Sequence, residues 1–172
     1  GKLRIKTYTG TPDQVADPYL LAHAPSYTEE MRGRGLAYAA VSVKWDTDLF
    51  PHEPTVHLVM RGAKVYDPRE ESHDLQDPST WEWSRNAVLC QAHYMRGMPK
   101  VDANGDLRRL FGTNAKDSAI DWNSIAPEAT IADEPIAMAE GGTQPQYTCD
   151  GILMADTEPE AGLNSLLTAS AG

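Results

Sequence analysis

The chain has 172 residues, 41% of them hydrophobic, which is enough for one core of ordinary size. Lys and Arg total 15 against 25 Asp and Glu, and the formal charge of -10 argues against a nucleic-acid groove built on phosphate neutralisation. No run approaches a membrane span, the opening GKLRIKTYTG has no signal-peptide apolar core, and Cys90 and Cys149, far apart and outside any CxxC pair, argue against a metal ribbon or disulfide framework.

In chain order, Lys2 to Tyr8 alternates, with Leu3, Ile5 and Thr7 on one face, and breaks at TGTPDQ; this predicts a strand leaving into a turn. DPYLLAHA, from Asp17, allows a helical turn or an irregular crossing, and Pro25 ends it. In LAYAAVSVKWDTDLF, Val41, Val43 and Trp45 share one face and Ser42, Lys44 and Asp46 the other, the period-two pattern of a half-buried strand. TVHLVMRGAKVYD then predicts a hairpin. Val56, Leu58 and Met60 alternate with Thr55, His57 and Val59, and Gly62-Ala63 has Gly first, as a type II′ turn requires. That register sets Met60 opposite Val65 and Val59 opposite Tyr66, and Asp67-Pro68 stops the second strand.

REESHDLQDPST, residues 69–80, is polar and acidic and reads as an exposed loop. Beyond it Val88, Leu89, Ala92 and Met95 fall at helical spacing, with Ser84 as the candidate N-cap and Gly97 followed by Pro99 as the stop. Asn104-Gly105 is a hairpin-turn dipeptide. A second helix is expected from Asp121 or Asn123, with Trp122, Ile125, Ala129, Ala132 and Ile136 on its apolar face and Pro127 in its first turn. After the Gly141-Gly142 break a short strand is expected around Tyr147 and Cys149. Leu163, Leu166, Leu167 and Ala171 then form a last helical stripe behind Pro159.

The histidines, His23, His52, His57, His73 and His93, make no HExxH motif. Cys90 and His93 lie one helical turn apart, a spacing zinc can use, but no second ligand pair accompanies them, so both are assigned to packing. DANGD at 102–106 opens like a calcium loop, yet the positions that require Gly and Glu hold Leu107 and Thr113. Asp46, Asp48, Glu70 and Glu71 are the carboxylates considered for glycoside hydrolysis, and they fall in segments that read as solvated. The arginines of DLRRLF read as a solvated edge. There is no GxSxG, Walker loop or GxGxxG. Trp45 and Trp122 fall on apolar stripes, whereas Trp81 and Trp83 share a side if extended and are the candidate carbohydrate platform. No catalytic, cofactor-binding or metal-binding residue is assigned.

Gly35-Leu36-Ala37-Tyr38, Asp48-Leu49-Phe50-Pro51, Gly62 through Arg69, Trp83-Ser84 with Asn86 to Cys90, Ile120-Asp121 and Tyr147-Thr148-Cys149-Asp150-Gly151 occur in an order that resembles the tail tip proteins of long-tailed phages and prophages. These are the J-like host-specificity, or central tail hub, proteins. The resemblance runs from Gly10-Thr11 with Asp13-Gln14 to the final Ala-Gly. It departs from the family pattern at Asn86-Ala87, commonly Asn-Pro, at Asp150, commonly Asn, and in a longer and more acidic 69–80 loop.

The resemblance implies a structural virion protein: part of a trimeric baseplate hub that closes the tail tube, contacts other tail tip and tail tube proteins, and links them to receptor-binding parts. On this reading the chain is a fragment of a longer hub protein, assembled in the bacterial cytoplasm, without enzymatic activity or cofactor and without sequence-specific nucleic-acid binding. Its expected fold is a single α+β domain over 1–172. An antiparallel sheet from Leu36 to Tyr66, joined by strands near residues 5 and 149, is covered by helices near 86–96, 122–138 and 160–170. The alternatives are a host-surface glycan or protein binding module, using Trp81, Trp83 and the 69–80 loop, and a cell-wall hydrolase domain.

Overall fold

A computed structural model describes residues 3–44, 46–48, 52, 55–101, 107–154 and 156–171. The fold is α+β, with helices and short antiparallel strand pairs. It divides into two compact units, Gly1–Leu58 and Val59–Gly172.

In the first unit β1 (Leu3–Tyr8) pairs antiparallel with β2 (Tyr38–Val43), from Leu3 opposite Val43 to Tyr8 opposite Tyr38. Between them α1 (Pro18–His23) starts where Asp17 caps it and Pro18 supplies a ready-made helical φ. The alternation of β1 is real, but the covered face is the polar one. Leu3 and Ile5 are 49% and 53% exposed, while Arg4 and Tyr8 both reach the fully buried Asp17. A carboxylate taken out of water requires partners, and Asp17 has four: Arg4 (2.9 Å), the Tyr8 hydroxyl (2.7 Å), and the Tyr19 and Leu20 N–H groups at 2.8 and 2.9 Å. The Tyr8 and Tyr38 rings stack at 4.6 Å on the same side of the ladder.

Burial alone would raise the Asp17 pKa. The Arg4 guanidinium, the Leu20 N–H and the Tyr8 hydroxyl outweigh it and hold the carboxyl at about 2. The stabilisation is therefore present above the ordinary value of 3.8 and lost as pH falls toward 2. Asp17→Ala removes a cap and leaves Arg4 unpaired. It is expected to cost about 3 kcal/mol, measured as a lower urea midpoint for the first unit.

The TGTPDQ turn is locked by Gln14. Its Oε1 accepts from Gly10 N–H (2.8 Å) and its Nε2 donates to the Arg32 and Gly33 carbonyls, both at 2.7 Å. Gly10 has φ +80°, and a Cβ there would lie 2.7 Å from Leu36 N, so only glycine fits.

In the second unit β3 (Lys64–Val65) pairs with β4 (Glu82–Trp83). The hairpin expected around Gly62-Ala63 does not form. Gly62 is not in the positive-φ region that a type II′ turn demands, and residues 55–63 make no ladder. Val59 is fully exposed, so the alternation there has no face to bury. The continuous sheet expected from Leu36 to Tyr66 is therefore replaced by separate two-stranded pairs.

Next comes α2 (Ala87–Arg96), capped by Asn86 rather than Ser84, and ended by Gly97 at φ +88°. β5 (Met98–Val101) and β6 (Leu107–Leu110) follow as an antiparallel pair; the Asn104-Gly105 dipeptide lies outside the described residues. α3 (Trp122–Ala132) is capped by Asp121. It stops before the expected end at 138, where Pro135 cannot continue the ladder of helical bonds and Ile136 instead joins β7 (Pro135–Ala137), paired with β8 (Thr143–Pro145). Pro127 lies in the interior of α3, not its first turn, so Asn123 carbonyl has no helical donor there. α4 (Pro159–Ala171) completes the unit.

The core of this unit is Val65, Leu89 and Ala129, with Val88 and Ile125 packed against it, so β3, α2 and α3 meet at one point. Instead of a strand near 149, a single bridge joins Asn86 to Thr148. α4 approaches α2 through Gly162, where a Cβ would lie within 3 Å of the Tyr94 ring and hydroxyl.

Candidate functional site

In the second unit the segment between β3 and β4 folds over a polar cavity of about 220 Å³, lined by Asp67, Glu70, Ser72, His73, Glu82 and Trp83 among others. The chain enters it through Asp67-Pro68. Asp67 accepts from Arg69 N–H (3.0 Å) in a tight turn, and its carboxylate takes a two-pronged bond from the Arg69 guanidinium, which also reaches Asp133 at 2.9 Å. Burial would raise the Asp67 pKa, but Arg69 holds it below the usual carboxylate range. Asp67 N–H donates to His73 Nδ1 at 3.1 Å, which assigns the ring proton to Nε2.

These groups are already committed to one another. Asp67 is neutralised by Arg69, His73 Nδ1 is spent on the backbone, and Ser84 Oγ accepts from Asn86 N–H at 3.1 Å. The cavity is also below the volume range of typical ligand pockets, roughly 300–1,000 Å³. Among the described residues no cluster of three or more His, Cys, Asp or Glu side chains can hold a metal.

The two candidate platform tryptophans separate. Trp81 is 1% exposed; its indole N–H donates to Asp74 carbonyl (2.7 Å) and its ring meets His93 edge-on, so it is core and cannot stack on a sugar. Trp83 is 37% exposed beside the cavity, with the Arg61 guanidinium 5.1 Å from its ring centre. Trp122 packs edge-on against Tyr66 at 5.2 Å, and Trp45 lies outside the described residues. Of the carboxylates considered for hydrolysis, Asp46 and Asp48 are in the first unit and Glu70 and Glu71 in the second. DANGD at 102–106 and Leu49-Phe50-Pro51 lie outside the described residues.

Beneath the loop is a polar network that nothing in the sequence singled out. Arg96, 1% exposed in the last turn of α2, donates to Asp117 (2.7 Å) and to Leu75 carbonyl (2.8 Å), with its guanidinium 5.2 Å from the Trp81 ring centre. Arg109 of the DLRRLF stretch binds the same Asp117 and Ala115 carbonyl, so it is a structural cation and not part of an open basic patch.

His93 lies against Trp81 with both ring nitrogens buried and without a hydrogen-bond partner among the described residues. Burial, and then the Arg96 charge, bring its pKa down to about 4. An unfolded chain would bind that proton near pH 6.5, so the fold is at full strength above 6.5 and weakens as pH falls to 4, by about 3 kcal/mol. Urea titrations across this window should show the loss, and His93→Phe should flatten it.

Cys90 and Cys149, distant in sequence, are brought to one junction as free, half-buried thiols: Cys149 N–H donates to Arg85 carbonyl (2.7 Å), and the Cys90 thiol donates to the adjacent Ser84 carbonyl (3.7 Å). No helix among the described residues is long and apolar enough to cross a membrane. Comparison with protein-family models, curated proteins and solved structures finds no match.

Proposed function

We propose that this chain is a structural module of the tail tip of a long-tailed phage or prophage, part of a baseplate hub that assembles as a trimer with other tail tip and tail tube proteins and contributes to host attachment. One observation carries the reading. Segments on which the family resemblance rests supply backbone and side-chain bonds that fasten each unit together. In the first unit Gly35 N–H donates to Gly10 carbonyl (2.8 Å), and Gln14 holds Arg32 and Gly33. In the second, Asp67 and Arg69 tie the β3 exit to Asp133, Asn86 bridges Thr148, and Asp121 caps α3.

A scaffold needs fixed geometry and surfaces for neighbours. Val56 and Leu58 of the first unit, and Val59, Met60, Ile152 and Met154 of the second, are exposed apolar residues, the kind of side chain that subunit contacts cover. Gold-labelled antibody against the chain, applied to particles induced from the source strain, should mark the distal tail end. Label confined to capsids or to free protein would end this reading.

A second reading, a host-surface glycan-binding module without catalysis, is favoured by Trp83, which presents an accessible indole beside a polar cavity. Glycan-array binding abolished by Trp83→Ala with folding retained would establish it. Peptidoglycan release by the purified chain would instead support the hydrolase alternative.

A further inference from the structure

The backbone around Cys90 and Cys149 is doubly pinned. Cys149 N–H donates to Arg85 carbonyl (2.7 Å), Ala87 N–H to Tyr147 carbonyl (3.4 Å), and Asn86 forms a bridge with Thr148. The Arg85 and Asp150 side chains form an ion pair across the same junction. Cys90 stands one helical turn beyond Asn86, with its own N–H on Asn86 carbonyl (3.0 Å) and its thiol directed at Ser84 carbonyl (3.7 Å). Cys90 and Cys149 are thus held at the neighbouring carbonyls of Ser84 and Arg85, and both residues are half-buried, so a small reagent reaches them.

We propose that Cys90 and Cys149 are a redox pair, closing a reversible intrachain disulfide that locks the start of α2 to segment 147–150 when the protein meets small-molecule disulfides. This inference is independent of the tail-tip reading.

The order of events follows from the two environments. Burial raises both thiols, Cys90 to about 12, whereas the neighbouring Cys90 side chain favours the Cys149 thiolate. Cys149 therefore ionises first, its proton passing to solvent. The thiolate attacks one sulfur of the small disulfide, forming a mixed disulfide and expelling one thiolate. Cys90, losing its proton, attacks the Cys149 sulfur, the new S–S bond forms and the second small thiolate leaves. The protein gives up two electrons and two protons, and the small disulfide becomes two thiols.

The test uses the native, reduced 172-residue chain incubated with glutathione disulfide. Non-reducing peptide mapping should find the Cys90 and Cys149 peptides joined within one chain. The bond closes a loop of about 60 residues, so the thermal midpoint should rise by about 10 °C and fall back with dithiothreitol. Cys90→Ser should trap a glutathione adduct on Cys149. Two thiols that stay free in the native protein, stable glutathione adducts in the wild type, or links formed only between chains would each overturn the proposal.

Discussion

Asn86→Ala is expected to destabilise the second unit by about 2 kcal/mol, seen as a lower urea midpoint at unchanged slope. Asn86 is 2% exposed, and both ends of its amide are used. Oδ1 accepts from Val88 and Leu89 N–H groups at 3.1 and 3.2 Å, which satisfies the first turn of α2; losing such a cap costs about 1 kcal/mol. Nδ2 donates to Ala129 carbonyl at 2.7 Å, close to the core residue Leu89; that carbonyl keeps its bond from Asp133 N–H (3.2 Å), so the lost buried bond adds about 1 kcal/mol. Asn86→Asp keeps the cap but replaces the donor with an anion facing a carbonyl, so it should not recover the loss. Full recovery would mean that the cap alone matters and that α2 and α3 are not joined through this side chain.

Arg96→Ala is expected to cost about 3–5 kcal/mol, because it removes the cation of a buried pair and leaves Leu75 carbonyl without its donor. Arg109 keeps Asp117 neutralised, which places the cost toward the lower end of that range. Arg96→Met restores much of the volume without the charge and separates packing from ion pairing. In both variants the near-ultraviolet signal of Trp81 should change, since the guanidinium lies over that ring. An unaltered midpoint in Arg96→Ala would show that the 75–81 loop is held by Trp81 and its bond to Asp74 alone.

How much of this was legible in the sequence depends on whether the signal was local. Gly97 as the stop of α2, Asp121 as the start of α3 and the apolar stripe through Ile125, Ala129 and Ala132 are written within a turn or two of helix, and they stand. The α+β class stands with them. The hairpin at Gly62-Ala63 failed because alternation says nothing of whether a partner strand exists; Val65 found Glu82 instead. The face of β1 was misjudged for a related reason. A buried Asp17 drew Arg4 and Tyr8 inward, and no rule of hydrophobic periodicity anticipates a carboxylate as the organising group.

Candidate chemistry was legible only in outline. Trp81 and Trp83 are two residues apart, yet one is sealed against His93 and the other faces solvent, a split set by the loop closing between β3 and β4. The approach of Cys149 to the start of α2, where Cys90 stands, depends on Asn86 bridging Thr148, a pairing with no short-range mark in the chain. Arg96 gave no signal at all: an arginine in the last turn of a helix ordinarily interacts with the helix dipole at the surface, and its burial comes from Leu75, Trp81 and Asp117 arriving from elsewhere.

The central claim, a structural role in a phage tail tip, is tested most directly by quantitative mass spectrometry of purified tail particles induced from the source strain. Peptides of this chain are expected at about three copies per particle, the number a trimeric hub requires. Their absence from intact particles, with the chain recovered as free protein, would contradict it.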